Sequence, residues 1–348
     1  MKILDRYLFS SILKSSIFVL IFLTIVFSFF KFLDELNDID FSYSIDQVLK
    51  YILFLIPSIL NSLTILSVMI GVVFSIGQLN SNKELQIYLT SSISIRNLIL
   101  KSINFSLLIS IVLLIIFETF APKTFDLSNK IKNNTLQNNS ESSAERFWVK
   151  DGNDYIFFKK NDLKVFQISG VDLVAYSMSN EADLSLSTIN AEISSIVLSN
   201  QLGNIYIDKK DNKTKHSIEL NKLQLEALEK DIRTLSLIGV FDLLIYSLDN
   251  DLNYYKYAFE ILFRILKPLT LVGMILLAVP FIFNLQRNIS IGKRIFLATS
   301  IGVFAHLLSK VLSIISLKFE TYALLGPFIP SILMICIGYV LLKYKKIA

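Results

Sequence analysis

Six long apolar stretches divide the chain. They lie at about residues 8–30, 51–77, 98–120, 259–283, 295–317 and 323–342. About 20 helical residues cross the roughly 30 Å hydrocarbon layer of a bilayer, so each stretch is long enough to span a membrane. The pattern therefore predicts six transmembrane helices. Three prolines within them predict kinks or helix ends, namely Pro57, Pro268 and Pro280.

A polar segment at about 122–258 separates the third stretch from the fourth, and its apolar residues alternate with polar ones. Alternation with a period of two, interrupted by polar turns, indicates β-strands. The candidate strands lie at 146–160 around an Asp-Gly turn, at 164–177, at 186–199, and at 204–220 around a turn at 211–214. We predict a β-sandwich or open barrel of roughly 100 residues.

The predicted fold class is therefore an α-helical membrane protein with six spans and an inserted β-domain. Its predicted domains are helices 1–3 at 1–121, the β-domain with flanking linkers at 122–258, and helices 4–6 at 259–348.

Composition agrees with a membrane protein. The chain of 348 residues is 53% hydrophobic and only 18% charged, with a mean hydropathy of +0.56, whereas soluble domains are about 25% charged. The net charge of +5 comes from basic residues beside the spans, which favours the membrane surface over nucleic acid as their partner. The single cysteine, Cys336, lies in the last apolar stretch and can form no intrachain disulfide.

The distribution of lysine and arginine predicts the orientation, because cytoplasmic segments carry the excess of both. One set of span ends carries twelve of them: Lys2, Arg6, Lys14, Lys83, Arg96, Lys101, Arg287, Lys293, Arg294, Lys343, Lys345 and Lys346. The other set carries four: Lys31, Lys50, Lys310 and Lys318. Both termini are therefore predicted to be cytoplasmic.

Lys31 departs from this bias, since it ends the first apolar stretch on the predicted outer side and precedes Asp34, Glu35 and Asp38. Two interpretations stay open. Lys31 is either an interfacial lysine paired with Asp34 or Glu35 at helical spacing, or a cation that faces a cavity and attracts an anionic headgroup.

Motifs for catalysis and cofactor binding are absent from the sequence. It contains no H-E-x-x-H, no G-x-S-x-G and no G-x-x-x-x-G-K-[ST], and its two histidines, His216 and His306, have no partner at metal-ligand spacing. We therefore predict a non-catalytic chain without a cofactor. If it performs work, the energy must come from a partner that hydrolyses nucleotide.

The segment between the second and third spans is the candidate point of contact with such a partner. Leu85, Tyr88 and Leu89 share one face of a predicted amphipathic helix at about 82–96, and Glu84 lies in its first turn. Two interpretations stay open: a helix that lies on the lipid surface, and a helix docked in the groove of a cytoplasmic ATPase.

Several stretches, in this order along the chain, carry a resemblance to a known family. They are LDRYLFSSILKS and KFLDEL on the first span, SNKEL after the second, WVKDGNDYIF at the start of the β-domain, and FRILKPLTLVGMILLAVPFIF on the fourth span. Together they resemble the lipopolysaccharide-export permeases of the LptF/LptG family, its LptG branch in particular.

The resemblance implies a permease subunit in the inner membrane of a Gram-negative bacterium, with its β-domain, a jellyroll, in the periplasm. In this family a sister permease completes a heterodimer around a cavity open to the outer leaflet, and a dimer of cytoplasmic ATPases docks below it. Lipopolysaccharide leaves the leaflet and passes to a single-span periplasmic jellyroll protein and a periplasmic bridge.

The resemblance also implies site residues. For lipopolysaccharide binding we expect Lys31, Asp34, Phe27, Phe30, Arg264 and Lys310, with Lys310 open to a second interpretation as an interfacial lysine. For coupling to the ATPase we expect Glu84, Leu85, Tyr88, Leu89 and Arg96. Thr90-Ser91-Ser92 replaces a glycine-containing stretch of many relatives, which leaves the end of the coupling helix open. The alternatives are a permease of another ABC exporter class and a non-transporting envelope scaffold.

Overall fold

The structure is a computed structural model. It describes residues 3–39, 43–82, 84, 94–136, 147–151, 154–159, 162–169, 172–177, 188–201, 204–219, 232–250, 252–283, 290–318 and 320–344. The chain forms two compact units, one of residues 1–138 and 258–348 and the other of residues 139–257.

Long helices make up the described part of the first unit. They are α1 (Ile3–Leu36), α2 (Ile45–Ser81), α3 (Ile95–Leu136), α6 (Lys267–Ile282), α7 (Ile291–Ser316) and α8 (Phe328–Tyr344), with α5 (Tyr255–Ile265) before α6 and a 3-10 turn at Glu320–Leu325 before α8. Five of these helices are each long and apolar enough to cross a membrane, and the bent pair α5–α6 counts as a sixth span. The number agrees with the sequence prediction.

The predicted fourth span is the one that differs in form. The sequence predicts one span at 259–283 with a kink or helix end at Pro268, and in the structure α5 and α6 meet there at an angle of 52°. Pro268 lies in the first turn of α6; proline has no backbone N–H to donate, and its ring disfavours helical geometry in the residue before it. In contrast, α2 continues through Pro57 and α6 continues through Pro280.

The second helix is the centre of the bundle and packs against α1, α3, α6 and α7. Its apolar residues from Val68 to Ile76 are almost fully buried, except for Phe74, which is about half exposed. Gly71 lets α1 approach closely, because a Cβ at this position would lie only 2.6 Å from the Cα of Ser16. The hydroxyl of Ser75 donates to that of Ser11 at 2.8 Å in the same interface. Small residues of this kind allow the close helix packing that is common in membranes.

The first helix leaves one apolar side uncovered. The exposed side chains on it include Phe18, Phe22, Ile25, Phe29 and Leu33. In a membrane this side faces lipid or another protein, so its exposure is ordinary for a spanning helix and unusual only for a soluble one.

The described strands of the second unit form one antiparallel sheet. They are β1 (Phe147–Asp151), β2 (Asp154–Lys159), β3 (Asp162–Ser169), β4 (Asp172–Ser177), β5 (Thr188–Gln201) and β6 (Asn204–Glu219), and they pair in sequential order. We expected two strands within 204–220, whereas the structure has the single strand β6. The predicted turn is instead an irregularity of the ladder, where the register shifts between Ile193 and Ser195. A 3-10 turn at Ile232–Thr234 and a helix α4 (Leu237–Asp249) follow.

Candidate functional site

Lys31 and Asp34 form an ion pair at one end of α1. The ammonium lies 3.0 Å from the carboxylate, and the two side chains are 49% and 67% exposed. The sequence left open whether Asp34 or Glu35 was the partner, and the structure selects Asp34. An exposed pair of this kind is worth at most about 1 kcal/mol. The ammonium can therefore change partners at little cost when another anion approaches.

Phe27 and Phe30 lie on the same face of α1 as this pair. Phe27 precedes Lys31 by four residues and Phe30 precedes Asp34 by four, a spacing that brings side chains together on a helix, and both rings are exposed. Four of the six residues expected to bind lipopolysaccharide thus form one surface, with a cation beside aromatic rings. The other two lie elsewhere: Lys310 is exposed on α7, and Arg264 is on α5.

Glu35, next to Asp34 in sequence, points into the protein. Its side chain is 5% exposed, and both of its oxygens accept hydrogen bonds from the ammonium of Lys132 at 2.8 Å. The same ammonium lies 3.1 Å from the carboxylate of Asp38. Sequence reasoning missed Lys132. The acidic residues at 34–38 indicate a nearby cation, but the sequence does not say which one. The partner, Lys132, lies on α3, 97 residues away from Glu35.

Two tyrosines complete this cluster. The hydroxyl of Tyr43 donates to Glu35 at 3.3 Å, and the Lys132 ammonium lies 5.6 Å from the centre of the Tyr51 ring. Burial raises the pKa of Tyr43 well above its ordinary value, and the negative charge of Glu35 adds to the effect. Tyr43 therefore stays protonated and donates at physiological pH. We call Glu35, Asp38, Tyr43 and Lys132 the Lys132 clip.

The clip fixes the Lys31 end of α1. It joins α1 to the loop before α2 and to α3, and beneath it Tyr43 packs in an apolar cluster with Val48, Tyr51, Ile52 and Leu55. A buried carboxylate with its counter-ion and an apolar floor restrains the helix more strongly than the exposed Lys31–Asp34 pair does. The clip therefore holds the end of α1 that carries Lys31 in a defined position relative to α2 and α3.

Arg264 lies among carboxylates. Its Nη1 is 2.6 Å from Glu118 and its Nε is 2.9 Å from Glu260, while the Arg264 side chain is only 9% exposed. The amide of Asn61 on α2 donates to the second oxygen of Glu118 at 3.2 Å. A lipid phosphate at Arg264 would have to compete with both carboxylates. Direct lipid binding by Arg264 remains a prediction.

Glu84 lies at the opposite end of the bundle and contacts α1. The hydroxyl of Tyr7 donates to its carboxylate at 2.9 Å, and the side chain of Asn82 donates to the other oxygen at 3.2 Å. Close by in sequence, Asp5 on α1 forms an ion pair with Lys101 on α3 at 2.5 Å. Sequence reasoning named Glu84 but not Tyr7, because the two are 77 residues apart.

The remaining coupling residues are only partly described. Leu85, Tyr88 and Leu89 lie outside the described residues. Arg96 is in the first turn of α3, which begins at Ile95, and the hydroxyl of Ser94 accepts from the backbone of Asn97 as an N-terminal cap would. The predicted end of the coupling helix at 96 therefore falls inside the third long helix. No group of three or more His, Cys, Asp or Glu residues suited to a metal occurs within the described part of the chain.

Comparison with known proteins identifies the family. The model of the family described as "Lipopolysaccharide export system permease LptF/LptG" matches residues 6–344. The chain belongs to the LptF/LptG family. It is 22% identical over 353 residues to the lipopolysaccharide export system permease protein LptG of Haemophilus influenzae, and 22% identical over 363 residues to that of Escherichia coli K12. In both comparisons 99% of each chain is covered. The resemblance recognised in the sequence is confirmed.

The polar clusters of this LptF/LptG permease lie at different levels along α1 and α3. Asp5 pairs with Lys101 at one end and Glu35 with Lys132 at the other. Thirty residues on α1 and thirty-one on α3 separate these two contacts, which is about 45 Å of helix. A hydrocarbon layer of roughly 30 Å fits between them. Glu118 lies between the two levels and within the apolar stretch 98–120, near its end toward Lys132, so the Arg264 contacts lie near one end of two candidate spans.

Proposed function

We propose that this chain is the permease subunit that takes lipopolysaccharide from the outer leaflet of the inner membrane and passes it to a periplasmic bridge. The observation that carries the proposal is the family match over residues 6–344. The relatives from Haemophilus influenzae and Escherichia coli are named for lipopolysaccharide export, which supports the same cargo here.

The face of α1 around Lys31 fits such a cargo. Lipopolysaccharide combines phosphates with several acyl chains, and the face combines an exposed ammonium with the exposed rings of Phe27 and Phe30. An ammonium attracts a phosphate as a point charge, and the attraction is stronger at the border of a low-dielectric layer than in water. We place this end at the periplasmic surface and the Glu84 end, with both termini, in the cytoplasm.

The proposal includes the partners that the family implies. A sister permease covers the apolar side of this subunit, and a cytoplasmic ATPase dimer docks against Glu84 and the segment that the sequence predicts as a helix, with Leu85, Tyr88 and Leu89. The β-strand unit is a periplasmic jellyroll that continues through the single-span jellyroll protein into the bridge. The permease itself hydrolyses no nucleotide; its role is to change shape around the lipid when the ATPase turns over.

The test is photo-crosslinking in the assembled transporter. A photoreactive residue replaces Phe30, and a matched one replaces Tyr339, an exposed residue of α8. We expect lipopolysaccharide adducts at position 30 and few at position 339. In the Phe30 background, Lys31→Glu is expected to lower the adduct yield about tenfold, since a charge-assisted contact is worth about 1.5–3 kcal/mol.

Lys50→Glu is the matched control, because Lys50 is also an exposed lysine paired with an acid at helical spacing, Asp46 at 2.6 Å. It should leave the yield unchanged. Equal yields from wild type and Lys31→Glu, in complexes of normal composition, would contradict the role of Lys31. No adduct at position 30 in the working transporter would contradict the proposed lipid path.

A further inference from the structure

An ion-pair network lies directly beside the break between α5 and α6. Glu118 on α3 and Glu260 on α5 both contact the guanidinium of Arg264, and Asn61 on α2 donates to Glu118. We call these four residues the Arg264 network. Arg264 is the next-to-last residue of α5. The network therefore connects the last turn of α5 to α3 and α2.

The charged residues Glu118, Glu260 and Arg264 lie in apolar stretches, where an ionised side chain is normally unfavourable. An arginine within the spanning part of a membrane protein is costly unless it is paired, and such residues usually carry function. The network satisfies the guanidinium with two carboxylates at 2.6 and 2.9 Å. The contact is directional, because the two carboxylates bind different nitrogens of the guanidinium. A planar guanidinium fixes the angle between the groups it joins, which apolar side chains do less well.

The two halves of the broken span are held by different chemistry. The second part of the broken span, α6, packs extensively on α8, α7, α2 and α3. Gly273 and Gly338 bring α6 and α8 together, since a Cβ at either would overlap the facing helix, and the hydroxyls of Thr270 and Ser331 lie 2.9 Å apart. Among the described residues, α5 has no comparably extended contact with another helix. Phe259 of α5 is nonetheless buried, so the polar network acts together with a small apolar contact to hold α5.

The junction itself is suited to bending. The backbone N–H of Leu266 still bonds to Leu262, and that of Thr270 bonds to Leu266, but Pro268 between them has no N–H to give. The junction therefore lacks the backbone hydrogen bond that residue 268 would otherwise donate. The helix α6 after it is held by packing. A change in the angle would move α5 and leave α6 in place.

We propose that the Arg264 network is a latch that sets the angle between α5 and α6, with Arg264 as a positioning residue for the transport cycle. The latch couples α5 to α3, whose far end is joined to α1 by the Lys132 clip. Movements of the Lys31 face and of α5 are thereby linked. The part of the inference that concerns transport rests on the proposed function, whereas the setting of the angle does not.

The angle is measured by pulsed electron paramagnetic resonance between spin labels at Lys256 on α5 and Ile332 on α8, in a Cys336→Ser background that removes the one native cysteine. Position 256 lies about 14 Å along the helix from the break, so a 20° change in the angle moves it by about 5 Å. The protein is reconstituted in lipid nanodiscs as the full chain, alone and in its complex. Asp46→Asn, which makes the same chemical change in an exposed ion pair, is the matched control.

We expect a narrow distance distribution in wild type and Asp46→Asn. Glu118→Gln, which removes one charge and keeps the shape, should broaden the distribution and shift its mean by about 5 Å. A triple variant, Glu118→Gln with Glu260→Gln and Arg264→Gln, removes all three charges of the network and keeps its shape, while the neighbouring Lys267 keeps its own charge; its distribution should remain broad. In the reconstituted transporter both variants should release lipopolysaccharide about tenfold more slowly than wild type.

A wild-type distribution in Glu118→Gln would overturn the latch, and so would a broad distribution in that variant that becomes narrow again in the triple variant. The second result would mean that the ion pairs only compensate one another's charges. If the distances change as expected while the wild-type complex releases no lipopolysaccharide, the latch stands and the proposed cargo fails.

Discussion

Replacing Lys132 by methionine is expected to destabilise the helical unit by about 3–5 kcal/mol, the usual cost of leaving a buried charge without its partner. Glu35 is 5% exposed and accepts two contacts from the Lys132 ammonium. Without that ammonium, its carboxylate keeps only the hydrogen bond from Tyr43 among the partners within the Lys132 clip. The effect is measured as a loss of unfolding free energy during denaturation of the purified protein in a mild detergent.

Two variants separate this effect from a general one. Lys50→Met removes an exposed lysine from its ion pair with Asp46 and should cost at most about 1 kcal/mol. The double variant Lys132→Met with Glu35→Met removes both buried partners and should regain most of the lost stability, because apolar side chains can replace a buried pair. Similar losses in Lys132→Met and Lys50→Met would show that the clip does not hold α1.

The second large effect concerns the opposite end of α1. Glu84→Lys is expected to weaken binding of the ATPase by about 2–5 kcal/mol, which is thirtyfold or more, since reversing an interfacial charge leaves like charges opposed. The measurement is the amount of ATPase that co-purifies with the tagged permease, together with the rate of ATP hydrolysis. Loss of the ATPase without loss of the sister permease is the expected pattern.

Tyr7→Phe is the control for this variant. It removes only the hydroxyl that donates to Glu84 at 2.9 Å in an exposed position, and it leaves the carboxylate free to bind a partner. ATPase binding should stay within a few-fold of wild type. A Glu84→Lys complex with unchanged composition and turnover would contradict the assignment of Glu84 to coupling.

The features that the sequence predicted are local ones. Apolar stretches of span length need no knowledge of neighbours, so the spanning helices were predictable to within a few residues at many ends. Lys31 and Asp34 are three residues apart on one helix, so spacing alone brings them together. Glu84 was named from the local helical pattern and given its coupling role by the family resemblance; the structure has its carboxylate just beyond the end of α2, in contact with Tyr7.

The features that the sequence did not predict depend on contacts between distant residues. Lys132 and Glu35 are 97 residues apart, and Arg264 and Glu118 are 146 apart. Nothing in the local pattern of α3 distinguishes Lys132 from Lys123 or Lys130, which are also on its polar part. Arg264 was expected to bind lipid from the family resemblance alone, which carries no information on its neighbours in this chain. The structure adds that it contacts Glu118 and Glu260.

The prolines predicted the positions of helix breaks and ends only in part. The sequence marks three prolines as equal candidates for a kink or a helix end: Pro268 adjoins the break, Pro280 lies two residues before the end of α6, and α2 continues through Pro57. The difference is one of surroundings. Pro280 is buried near the end of α6, whereas Pro268 lies in the first turn of α6, close to the Arg264 network at the end of α5.

The central claim, that this chain exports lipopolysaccharide together with an ATPase, is tested most directly by purifying the tagged protein from its native membrane in a mild detergent and identifying what it binds. Mass spectrometry of the bound proteins and lipids is predicted to find a sister permease, an ATPase with a nucleotide-binding loop, and lipopolysaccharide in the same complex. A chain that repeatedly purifies alone, under conditions that preserve other membrane complexes, would contradict the claim.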